Sequence, residues 1–206
     1  GPSHHNYDQV FRALGIYYFV AADDAQKQAI RAIVTDMSNW AHLENNLIVM
    51  HVDGERISTE LVGGWRGLEG DDSPSGGSLM MLTGLLLAYR ITGNKKLDAL
   101  YKAWVDRLGF RDPAKTKTSI MGAARTNYDD TDHLLGDLYL LNIIEEDDTL
   151  RAYYKKCVHD SWLLHKDERM AWFNFVYRAV LGDEYGDLEG SLWNLQTHPT
   201  CRIFQP

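Results

Sequence analysis

The chain has 206 residues, of which 45% are hydrophobic and 24% charged, and carries a formal net charge of −8. That length and apolar content suit one domain, residues 1–206, with a substantial core. An acidic balance with no basic stripe argues against nucleic acid or an anionic membrane surface as partner, so neither is expected.

In chain order, residues 10–22 are apolar almost throughout, with Arg12 the one charge. Asp23-Asp24 then make a turn. After it, Ala29, Ile30, Ile33, Val34 and Met37 recur at steps of one, three and four, a single apolar stripe. A helix apolar on all sides followed by a helix apolar on one face is therefore expected. Residues 45–65 break the pattern: β-type residues flank Asp53-Gly54, a hairpin-turn signal, and a glycine-rich loop follows. A β-hairpin and loop inserted at about 46–76 is the expectation.

The helical plan then repeats. Residues 78–91 are apolar on every side and too few to cross a bilayer. They turn at Thr92-Gly93-Asn94 and return through Leu97, Tyr101, Val105 and Leu108. A third copy runs from 134 to 144, turns at "EEDD", and returns through Leu150, Tyr153, Tyr154, Cys157 and Val158. A less regular fourth spans 170–181 and 188–195. Asp24, Asn94 and Asp147 or Asp148 are of the types that cap returning helices. All-round apolar helices packed together behind one-faced helices build a curved double layer. The fold class read from this is all-α, an α/α-hairpin toroid or partial toroid with an inserted β-hairpin. Cys157 falls in an apolar phase and reads as a buried free thiol. With Cys201 far away, neither a disulfide framework nor a zinc spacing is present, and the compartment stays open.

Alternating inner and outer helices, the "VDGER" hairpin ending in "GGW", and an inner helix opening with Asp-His resemble the six-hairpin glycosidase-like superfamily. The resemblance implies an (α/α) toroid acting on carbohydrate, with aspartates at the mouth where inner helices begin, and an extracytoplasmic setting. A closed ring of that family has six hairpins. Three clear copies and an irregular fourth imply an arc, a truncated relative or a piece of a longer toroid.

At such a mouth two stretches stand out, "HHNYDQVF" and "NYDDTDHLL". Asp8 and Asp132 each precede an apolar inner helix, and two carboxylates facing one cleft are what glycosidic-bond cleavage requires. The competing reading is that both only cap helices. His133 follows Asp130 by three residues and Asp129 by four, so on a helix it shares a face with one or both. It is read as an assisting base or a hydrogen-bonded helix-start residue. His5 and Asp8 repeat the three-residue spacing. Tyr7, Tyr128 and Trp65 are candidate stacking faces for sugar rings, with Arg66 beside Trp65 suited to a uronate carboxylate. Trp104, Trp162 and Trp193 read as core filler, and Asn174 as a satisfied core amide. Pairs at helical spacing do not make the three or four ligands a metal needs. No metal and no cofactor are expected.

The function expected is hydrolysis or elimination across a glycosidic bond of an acidic oligosaccharide. Asp132 and Asp8 would be catalytic with His133 assisting, and Trp65, Arg66, Tyr128, Tyr7, His5, Asp129 and Asp130 would line the substrate site. The alternative is a non-catalytic helical module that binds glycan or protein in a concave cleft.

Overall fold

The computed structural model describes residues 4–39, 49–52, 55–58, 76–116 and 128–197. Side chains are described over 7–39, 79–116 and 131–197. The described residues are predominantly helical. α1 is His4–Val20, α2 Asp24–Ser38, α3 Gly76–Thr92, α4 Lys95–Leu108, α5 Tyr128–Ile144 and α6 Asp148–His165. A 3₁₀ turn, Lys166–Glu168, leads to α7, Ala171–Leu181, and α8, Leu188–Thr197. Two short strands, β1 (Val49–Val52) and β2 (Glu55–Ser58), pair antiparallel with Val52 opposite Glu55. The rest of the segment expected to be inserted lies outside the described residues.

The helices form hairpins because the turns are well capped. Asp23, rather than the expected Asp24, caps α2 in a capping box with Gln26. Asn94 caps α4 through the amide of Lys96, and Asp147 caps α6 through Thr149 and Leu150. Gly93, at φ 73°, makes the α3–α4 turn in a conformation that a side chain would disfavour.

The all-round apolar helices do pack together. α1, α3 and α5 meet one another pairwise, α5 continues to α7, and α2, α4, α6 and α8 each lie against the helix before them. α3 is the most enclosed: every residue from 79 to 88 is buried. One hydrophobic core runs from Phe11 in α1 to Val180 in α7 and includes Cys157, which is fully buried as a free thiol. Close approach matters at Gly15, where a Cβ would sit 2.6 Å from Leu87 Cδ1, so α1 comes nearer to α3 than a larger residue would allow.

Three expectations are corrected. Inner helix α1 is not covered on all sides, since Val10, Tyr17 and Val20 are exposed. Its apolar run is amphipathic by position even though its composition is not. Trp193 is half in solvent, with the Arg169 guanidinium 5.8 Å from its ring centre, so it is not core filler. Asn174 is buried but only partly satisfied: its Oδ1 accepts from Trp162 Nε1 at 2.7 Å, while its Nδ2 has no partner among the described residues.

Candidate functional site

Asp8 and Asp132 lie inside their helices, not ahead of them, as does His133. α1 starts at His4 and α5 at Tyr128, so all three sit in the second turn, past the cap position. The apolar run alone marked each helix as starting later, because the first turns are polar. The packing of α1 on α5 brings Asp8 and His133 together. The Asp8 carboxylate lies 3.4 Å from His133 Nδ1, with side chains 7% and 1% exposed. Gln9, the next residue on α1, places its amide nitrogen 3.3 Å from His133 Nε2. An amide nitrogen can only donate, so Nε2 accepts and the ring proton falls on Nδ1, facing Asp8. His133 thereby presents Nδ1 to the Asp8 carboxylate.

Two further groups complete the cluster. Arg12, one turn after Asp8, has Nη1 3.8 Å from that carboxylate and donates to the His133 carbonyl at 2.7 Å. It reaches the α5 backbone because residue 136 is glycine: a Cβ there would come within 2.2 Å of Nη1. One turn after His133, Asp137 is completely buried, and neither of its carboxyl oxygens has a hydrogen-bond partner among the described residues. Burial first, and then the charge of Asp8, push its pKa well above the ordinary carboxylate value, while Arg12 pulls the other way. The result is an acid held toward its neutral form beside a second carboxyl that is ion-paired and accepts from a histidine.

Asp137 and Arg12 were not singled out in the sequence as site residues. Asp137 is embedded in "HLLGDLYLL", where its neighbours signal core. The available clue was the charge itself: an aspartate at i+4 from His133, on a helix apolar all round, must be buried with a partner. Asp132 is half-buried. About 100° of helical turn separates it from His133, so the two present different faces. Tyr7 stacks against Phe11 with ring centres 4.7 Å apart, and its hydroxyl donates to the Met37 carbonyl of α2. Burial raises its pKa. The side chains of His5, Tyr128, Asp129 and Asp130, and all of Trp65 and Arg66, lie outside the described residues. No group of three or more His, Cys, Asp or Glu side chains among the described residues is arranged to hold a metal ion. No described helix is long and apolar enough to cross a membrane.

A second buried acid sits just past the C-terminal end of α5. Glu145, 4% exposed, accepts the Tyr101 hydroxyl on Oε2 and the backbone amides of Glu146 and Asp147 on Oε1, at 2.8 and 2.9 Å. Tyr154 places its hydroxyl 3.4 Å from that of Tyr101. Burial first, with Glu145 among the further causes, raises the pKa of both tyrosines.

Fold and site together define a class: an all-α hairpin-repeat protein with a carboxylate–histidine–arginine cluster buried between two inner helices. Comparison with protein families, with curated proteins and with solved structures finds no match for this chain.

Proposed function

We propose that this protein acts on carbohydrate, cleaving a glycosidic bond of an acidic oligosaccharide by hydrolysis or elimination, with Asp8 and Asp137 as its acid–base pair. The observation that carries the reading is the pairing of an acid kept toward its neutral form, midway along α5, with an ion-paired carboxyl in the second turn of α1. Bond cleavage of this kind needs one group to donate a proton and another to accept one. In this reading Asp8, the more accessible of the two, faces the substrate. His133 and Arg12 orient it, and Asp137 holds the proton behind it. Asp132, half-buried beside the cluster, is the next carboxylate a substrate would meet, and Trp65, Arg66 and Tyr128 are retained as sugar contacts.

A second reading is favoured by one observation. Asp8, Arg12, His133 and Asp137 have side chains that are respectively 7%, 13%, 1% and 0% exposed. A cluster so enclosed also serves as a polar lock in a non-catalytic module that binds glycan or protein. Product analysis on a panel of uronate-containing oligosaccharides separates the two. Under the enzyme reading, turnover of at least one substrate falls by about 10²-fold or more in Asp8→Asn and Asp137→Asn, in the range typical of general acid–base groups. Under the binding reading no substrate is turned over. Both variants must keep the wild-type far-ultraviolet circular dichroism for the result to count.

A further inference from the structure

A cavity of about 170 Å³ opens beyond the C-terminal end of α5, where α3 and α4 meet the α5–α6 turn. α3 contributes Tyr89 and Arg90, α4 contributes Tyr101 and Lys102, and the segments following α4 and α5 contribute Arg111 and Glu145. Its buried polar lining is the Tyr101–Glu145 pair, 3% and 4% exposed and locked by the hydrogen bond between them. Around it the charges are matched. Arg90 lies 2.7 Å from Glu146, Lys102 3.0 Å from Asp98, and Arg111 2.9 Å from Asp147.

The chemistry of this lining narrows what fits. An anion finds three cations, each already holding a carboxylate, and four carboxylates in all, so it must displace one acid and face the rest. A cation must likewise displace one of the three positive groups from its carboxylate and face the rest. An apolar molecule is refused, because burying these ion pairs under it removes their water without replacing its hydrogen bonds. A neutral molecule rich in hydroxyls meets none of these costs: each hydroxyl donates to a carboxylate and accepts from a guanidinium or ammonium without separating the pair. The volume is below the ~300–1,000 Å³ of sites that enclose drug-sized ligands, which limits the occupant to one small ring. Arg90 also keeps its Nε buried without an acceptor among the described residues, so small local adjustment gives an entering hydroxyl a donor to satisfy.

We propose that this cavity binds a single neutral sugar ring, or a polyol of that size, past the C-terminal end of α5 and about two helical turns from Asp137. The inference does not depend on the carbohydrate-cleavage reading and survives its failure. The test is an amide-resolved nuclear magnetic resonance titration of the whole chain with the methyl pyranosides of glucose, galactose and mannose, run beside inorganic phosphate and putrescine. The expected result is saturable shifts at the amides of 89–90, 101–102 and 145–147 with at least one pyranoside. Affinity should fall about tenfold or more in Arg90→Met and in Lys102→Met, two variants that leave the Tyr101–Glu145 pair intact. Asp137→Asn should leave these shifts unchanged, which separates this site from the other. Tighter saturation by phosphate or putrescine, no saturable shift with any pyranoside, or unchanged affinity in both variants overturns the proposal.

Discussion

One acid is buried midway along α5 and another just past its C-terminal end, and they are held in opposite ways. Glu145 is given a donor for each oxygen: a tyrosine hydroxyl on one and two backbone amides on the other. Asp137 is given none among the described residues, and the nearest charged neighbour that helps it, Arg12, is engaged with Asp8 and the His133 carbonyl. A buried carboxylate with its full set of donors stiffens the fold around it. One without them stores a cost that folding must offset elsewhere, and that cost sits where function is to be sought. The difference can be broken or sharpened by substitution.

The largest effect is expected at the satisfied acid. Glu145→Ala removes the acceptor for a buried tyrosine hydroxyl and two turn amides at once. It should destabilise the protein by about 3 kcal/mol or more, read as a shift in the denaturation midpoint. Tyr101→Phe leaves Glu145 intact but deprives Oε2 of its donor, and should cost about 1–3 kcal/mol. If Glu145→Ala costs no more than a surface substitution, the contrast between the two acids fails.

The unsatisfied acid should respond with the reverse sign. A carboxyl whose folded pKa is raised binds its proton more tightly in the folded state than in the unfolded chain. Stability contributed this way is fully present below the ordinary carboxylate pKa, near 4, and is lost as pH rises from there through the folded value, by up to ~1.4 kcal/mol per pH unit. Asp137→Asn removes that loss. Its thermal midpoint should match the wild type near pH 4 and exceed it at pH 8. Equal or lower stability at pH 8 would show that Asp137 is not held near neutrality.

How much of this was legible in the sequence follows from what each signal measures. Hairpins, turns and the inner–outer alternation were readable because they rest on local spacing: Asn94 and Asp147 cap where expected, and Leu97, Tyr101 and Val105 face inward as their stripe requires. Asp8 and His133 were both named, but their contact was not, since it depends on how α1 crosses α5. Asp137 and Arg12 went unassigned for the same reason. Their partners lie more than 120 residues away in the chain, and no periodicity encodes that. The exposed face of α1 and the exposed Trp193 were misread because composition reports how apolar a segment is, not which side another helix will cover.

Gly136→Ala tests the crossing itself. Alanine gains about 1 kcal/mol of helix propensity over glycine, but its Cβ would lie 2.2 Å from Arg12 Nη1. The guanidinium, a flexible terminus, must then swing away from the His133 carbonyl, forfeiting a charge-assisted hydrogen bond worth about 1.5–3 kcal/mol. The loss should narrowly win, giving a net destabilisation of about 1 kcal/mol near pH 7. A net gain in stability would show that Arg12 contributes little to joining the helices. Because Arg12 opposes the rise of the Asp137 pKa, its withdrawal should also steepen or extend the loss of stability above pH 4.

The smallest stability effect is expected at Asp132, and it discriminates most between roles. Asp132 is half-buried and past the cap position of α5, so as a fold element it contributes only the attraction of a carboxylate for a helix start, about 0.3–1 kcal/mol. Asp132→Asn should therefore lower the thermal midpoint by no more than a degree or a few. A larger drop would make Asp132 part of the packing between helices, leaving the acid–base role to Asp8 and Asp137 alone. A drop this small, accompanied by lost turnover or weakened binding of a uronate oligosaccharide, would mean that the carboxylate beside the buried cluster touches the ligand. The contrast along α5 would then extend to function: its C-terminal end built from satisfied bonds to hold shape, its middle left short of partners where a substrate supplies them.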